Sequence, residues 1–150
     1  MPEGTAAPRP LPIVSFLKIP PKGDPYLEGV LCGKCQAIFL DERATCASCG
    51  AREGLAAKRL ANTGKLYVYT IVHRSLPGIA VPYVSAVVDL DGGGTVKGNL
   101  VGVDPDPGKI QMGMPVEVIY QIAPTKDREG NEYLTYCFKP RASSPERRAR

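Results

Sequence analysis

The chain has 150 residues, 16 Gly and 15 Pro, with 43% hydrophobic and 23% charged residues. This composition excludes collagen-like and disordered classes, and the length permits one modest domain or two very small ones. Nineteen Lys and Arg against fifteen Asp and Glu give +4, but four Arg and one Glu in residues 141–150 supply +3 of it, so residues 1–140 net only +1. A nearly neutral body argues against a general binder of phosphate backbones, which carries a basic surface across its fold.

Residues 1–25 hold Pro2, Pro8, Pro10, Pro12, Pro20, Pro21 and Pro25, too many for a helix, and predict an extended arm whose short apolar insert at residues 13–17 docks on a surface. No window reaches the roughly 18 apolar residues of a membrane span, and the first residues lack the basic start and apolar run of a signal peptide. The expected location is cytoplasmic.

Residues 26–54 carry Cys32-x-x-Cys35 and Cys46-x-x-Cys49 and few large apolar side chains, so they cannot build a core unaided. Four thiolates close a tetrahedral shell, and the two-residue spacers let each pair grip an ion from one tight turn. Gly33 inside the first pair and Gly50 after the second stand where such a turn needs a close backbone approach or a positive φ. The expectation is a zinc ribbon with a structural ion on Cys32, Cys35, Cys46 and Cys49. Iron in a rubredoxin-like site is the alternative, since four thiolates suit both ions.

From residue 55 the pattern turns to β. Residues 64–74, 82–91, 95–101, 116–122 and 132–138 read as strands rich in β-branched and aromatic side chains, with turn signals at Leu76-Pro77-Gly78 and Gly92-Gly-Gly94. Five strands without an amphipathic helix predict a mainly β protein, a five-stranded OB-type barrel over residues 55–140 behind the ribbon. Residues 141–150 lack apolar periodicity and predict a disordered basic tail.

Catalytic chemistry is hard to assemble from what remains. Cys137 lies mid-strand between Tyr136 and Phe138 and reads as a packed core thiol. His73, the single histidine, falls at the end of the first long strand, and no nucleophile-and-base order or glycine-rich phosphate loop accompanies it.

Ribbon and barrel are joined by more specific stretches. Cys46-Ala-Ser-Cys-Gly50, Gly64-x-Leu-Tyr-x-Tyr-Thr-x-Val-His73, Val81-Pro-Tyr-Val84, Gly98-Asn-Leu-Val-Gly-Val-Asp-Pro105 and Ile110-x-x-Gly-Met-Pro-Val-Glu-Val118 resemble the acyl-CoA-associated family called domain of unknown function thirty-five, over roughly residues 26–140. The resemblance implies a rubredoxin-like zinc ribbon followed by an OB-fold, serving as a non-catalytic accessory subunit of a thiolase-like enzyme. In such hetero-oligomers the catalytic cysteine belongs to the partner, and the small subunit stabilises the assembly and helps shape the CoA or acyl-CoA channel. Many members have a helix and a longer basic segment before the first cysteine. Here Pro25-Tyr-Leu-Glu-Gly29 runs almost directly into Cys32, so the Pro-rich arm takes that place.

A CoA thioester carries phosphates at one end, so its channel calls for a cation or backbone amides there and small residues where the chain passes. His73, Arg74, Pro77 and Gly78, with Gly98 and Asn99 on the third long strand, are the candidate CoA or partner contacts. The alternative function is a nucleic-acid-binding ribbon and OB module, for which Tyr67, Tyr69, Tyr83, Tyr120, Tyr133 and Tyr136 supply rings but a body charge of +1 supplies few cations. An independent redox or hydrolytic enzyme lacks its paired nucleophile and base.

Overall fold

A computed structural model describes residues 8–142. Ten strands follow in chain order: β1 (Leu11–Pro12), β2 (Leu17–Lys18), β3 (Tyr26–Cys32), β4 (Ile38–Phe39), β5 (Leu55–Arg59), β6 (Thr63–Val72), β7 (Tyr83–Leu90), β8 (Thr95–Leu100), β9 (Pro115–Ile122) and β10 (Tyr133–Pro140). Among the described residues there is no helix, and hence none long and apolar enough to cross a membrane.

The five long strands close a barrel. β6 pairs antiparallel with β7 and β7 with β8, β8 meets β10 in parallel at Leu100 and Phe138, β10 pairs antiparallel with β9, and β9 returns to β6. This is the expected OB-fold. A bulge between Leu66 and Val68 leaves Tyr67 without a partner on β7, and the first residues of β6, Thr63 to Lys65, pair with β9 while β6 from Gly64 onward pairs with β7. β-Branched and aliphatic residues alternate inward along each strand, so Leu66, Val84, Val88, Val96, Leu100, Val116, Leu134 and Phe138 fill the interior. No polar or charged side chain is buried among the described residues.

The ribbon is a small sheet centred on β3, which pairs with β2, β4 and β5. Residues 55–59, where the sequence pattern begins the barrel, extend the ribbon's sheet instead: Leu55 pairs with Cys32 and Arg59 with Glu28. Alanines at 56 and 57 carry no facial preference that could have announced a partner.

The arm does more than lie on a surface. Leu11 and Pro12 run parallel to Tyr133 and Leu134 of β10, and Leu17, paired with Leu27 of β3, is fully buried. Leu17 and Leu27 belong to the same apolar cluster as Leu66, Val116 and Phe138, so arm, ribbon and barrel share one core. The Phe16 ring packs 5.8 Å from that of Tyr136. Residues 143–150, most of the tail expected to be disordered, lie outside the described residues, as do residues 1–7 of the arm.

Candidate functional site

The four cysteines come from two copies of one backbone turn. In the first, the Cys32 carbonyl accepts the Gln36 amide at 2.8 Å and the Cys32 amide donates to the Ala37 carbonyl at 2.9 Å. In the second, Cys46 accepts from Gly50 at 2.9 Å and donates to Ala51 at 2.8 Å. Each turn closes on a left-handed residue directly after the second cysteine, with φ of 76° at Gly50 and 66° at Gln36. A glutamine at this angle carries a steric cost that Gly50 avoids, and its Nε2 donates to the Gly33 carbonyl at 3.2 Å. Gly33 meets its own need differently. Its amide donates to the Gly54 carbonyl at 2.8 Å, and a Cβ there would sit 3.2 Å from that oxygen.

Folded together, the turns bring four sulfurs within 4.8 Å of one another. Cys32 Sγ lies 3.7 Å from Cys49 Sγ, and Cys35 Sγ lies 3.5 Å from Cys46 Sγ. A disulfide needs about 2.05 Å, whereas thiolates about 2.3 Å from a central ion stand about 3.8 Å apart along the edge of a tetrahedron. The cluster therefore fits a tetrahedral metal ion. Cys32 and Cys46 are buried, and Cys35 and Cys49 lie at the surface.

Backbone dipoles prepare the sulfurs for negative charge. The Cys49 amide, aided by that of Ser48, lowers the Cys46 thiol to about 6 against the opposing effect of burial. The Cys35 and Lys34 amides act on Cys32 in the same way and lower it too. At Cys49 the Ala51 amide also pulls downward, but burial and the neighbouring sulfurs of Cys35, Cys46 and Cys32 outweigh it and push the thiol up to about 11. Sulfurs this close cannot all ionise without a cation among them.

The other residues singled out by sequence fall at the far end of the β6 and β7 strands. β6 ends at Val72, so His73 and Arg74 open the connecting segment and do not end the strand; with Pro77 and Gly78 they lie in the exposed residues 73–82. The ladder stops there because Val72 and Tyr83 form its last pair. Asn99 points outward from β8 beside Ser85. Gly98 points inward, and the place of its missing side chain is taken by Phe138 and Tyr136, whose ring atoms would stand 2.9 and 3.0 Å from a Cβ. The close approach at Gly98 is thus made by the chain's own rings.

Cys137 is buried, and burial raises its thiol above the ordinary range. Two features escaped the sequence reading. One is the strained turn at Gln36, which a side-by-side alignment of the two turns would have exposed. The other is the apolar exposure of Leu76, Ile79 and Val81, whose signal is the run of residues 66–88 with Arg74 as its one charge before Asp89.

Known proteins resemble this chain in sequence and fold. The family model described as the C-terminal OB-fold domain of ChsH2 matches residues 57–121. A DUF35 domain-containing scaffold protein of Pyrococcus furiosus is 30% identical over 112 residues, which cover 72% of this chain and 80% of that protein. This chain belongs to the DUF35 family. The benzoylsuccinyl-CoA thiolase subunit BbsA of Geobacter metallireducens is 36% identical to the DUF35 chain over 77 residues, half of this chain (50%) and 51% of BbsA. Among solved structures, a chain of the Ltp2-ChsH2(DUF35) aldolase matches it with a TM-score of 0.60 and 30% identity, over 77% of this chain and 84% of that one.

Proposed function

We propose that this DUF35 protein is a non-catalytic accessory subunit of a thiolase-like acyl-CoA enzyme, steadying the enzyme subunit and forming part of the wall of its acyl-CoA channel. The observation that carries this reading is the 30% identity, over most of both chains, to a chain of an aldolase assembly named for ChsH2(DUF35). BbsA, named as a thiolase subunit, supports it from the side of acyl-CoA chemistry. The chain's own residues agree with an accessory role. Its buried thiol at Cys137 is held protonated, and its single histidine, His73, is exposed on a connecting segment.

In this reading zinc is held by Cys32, Cys35, Cys46 and Cys49, and it is structural because four protein thiolates leave no open position for water or substrate. Arg74 meets a phosphate of the acyl-CoA, His73 and Asn99 offer polar contacts, and Pro77 and Gly78 shape the passage. Gly98 contributes by admitting the Phe138 and Tyr136 rings that support β8.

Co-expression with the thiolase-like enzyme subunit of the same source tests the reading. A stable complex that turns over acyl-CoA, with no turnover by the DUF35 chain alone, is expected. Full activity of the enzyme subunit without this chain, and no co-elution of the two, would overturn it.

A further inference from the structure

The β6–β7 connection, residues 73–82, is exposed along its whole length. Yet four of its ten residues are aliphatic, Leu76, Ile79, Ala80 and Val81, and Arg74 is its one charge. Leu76 is 74% exposed, Ile79 49% and Val81 43%, and Tyr67 and Val68 on β6 add 61% and 40%. Of nine exposed large hydrophobic side chains among the described residues, these are five. Scattered apolar residues need no explanation, but a run concentrated in one segment with a single charge does.

The outer face below the connection continues the theme. Val68, Thr70 and Val72 stand beside Val87, Ser85 and Tyr83, none of them charged, and the first charge across the face is Lys97, beside Val87 on β8. At the root of the connection a groove of about 210 Å³, lined by residues that include Pro82, Tyr83, Asn99, Val101, Val103 and Pro105, has no charged residue in its wall. The tip itself is stiff. Ile79 donates its amide to the Leu76 carbonyl at 3.2 Å, Pro77 occupies the second position of that turn, and Gly78 the third with φ of 89°, the arrangement of a type II turn. A fixed turn that holds two large aliphatic side chains outward loses little entropy when it docks.

We propose that this connection is the anchor by which the enzyme subunit is held: Leu76 and Ile79 enter an apolar recess of that subunit, and its surface covers the neutral groove at Tyr83 and Val101. The inference rests on the accessory-subunit reading and adds to it the surface that makes the contact. Continuity argues for the enzyme subunit as occupant. Arg74 stands two residues before Leu76 and Asn99 lines the groove, so the acyl-CoA contacts proposed above and the anchor are one surface.

The test is the Leu76→Asp/Ile79→Asp double variant of the full chain, titrated against the co-expressed enzyme subunit, with metal content and far-UV spectrum recorded for both forms. An exposed turn accepts these substitutions without unfolding, so unchanged metal and spectrum are expected beside a Kd raised at least about 100-fold. Leu76→Met/Ile79→Val, which keeps the apolar character, should bind within about threefold of the parent chain. A Kd for the Asp variant within threefold of the parent overturns the anchor and leaves the accessory reading intact. A parent chain that forms no complex overturns both. A parent chain that forms a homodimer abolished by the Asp variant, with enzyme binding unchanged, overturns the anchor and assigns the tip to a second copy.

Discussion

Gly93, in the β7–β8 turn of the barrel, lies against Ile38 of the ribbon so closely that a Cβ on the glycine would overlap the Ile38 Cδ1 methyl. The next glycine, Gly94, lies against Leu60, whose δ carbons would stand 3.3 Å from a Cβ, and Lys58 donates to the Gly92 carbonyl at 3.2 Å. The turn thus joins two strands and seats one module on the other. Gly93 also has φ of 114°, a conformation that side chains rarely adopt. Gly93→Ala should therefore destabilise the chain by about 2 kcal/mol from overlap and backbone strain together, lowering Tm by roughly 4–8 °C. Adding Ile38→Ala should recover part of the loss, because it removes the overlap and leaves the strain. A Gly93→Ala protein with unchanged Tm by calorimetry would show that the ribbon does not bear on this turn.

Metal loading is expected at one ion per chain. Leu27 of the ribbon and Leu17 of the arm are buried in the core that the barrel shares, so Cys46→Ser should lose the ion and weaken the whole chain, with Tm falling by roughly 5 °C or more. Fewer than about half an equivalent of zinc plus iron in native protein would overturn the site. The pH dependence follows from the thiols. At neutral pH Cys46, near 6, is largely ionised while Cys49, near 11, holds its proton, so binding displaces at least that proton. Protons compete with the metal, so affinity should fall as pH falls. The dependence should steepen below about 6, where Cys46 is protonated as well, a profile that chelator competition at several pH values measures.

Cys137→Ala should cost about 1 kcal/mol, the loss of a small buried group in β10, and leave turnover by the complex intact. Urea denaturation supplies the first quantity and steady-state rates the second. A folded, assembled complex without activity would make Cys137 a participant in the reaction and not a packing residue.

Much of this was legible because the signals were local. The two Cys-x-x-Cys pairs at fixed spacing carry the cluster by themselves, and alternation in residues 64–72 and 83–90 carries two barrel strands and their inner faces. What depends on distant partners was not legible. Leu17 reads as part of a Pro-rich arm because its neighbour in space, Leu27, is ten residues on, and residues 55–59 join the ribbon only because β3 is there to receive them. Gly98 looked like room for a ligand, and the rings that fill it arrive from β10, some forty residues later. Leu76 reads as part of a turn and Arg74 as the end of the strand before it; both lie in the exposed connection because the ladder stops at Val72.

Arg74 is the one charged residue between Lys65 and Asp89 in the chain, and the nearest cation on the neighbouring strand, Lys97, stands farther off beside Val87, so an anion reaching the connection has Arg74 to meet. In the reconstituted complex Arg74→Ala should remove one charge-assisted contact worth roughly 1–2 kcal/mol, raising the apparent KM for acyl-CoA about five- to thirtyfold. Because the contact lies at the carrier end of the substrate, away from the thioester, it is made equally in ground and transition states and kcat should change little. Arg74→Lys should recover part of the loss, since a point charge replaces the planar fork. Co-elution of the subunits is expected to persist, because the apolar side chains of Leu76 and Ile79 remain. If KM is unaltered while the subunits separate, Arg74 pairs with a carboxylate of the enzyme subunit and the acyl-CoA passes elsewhere.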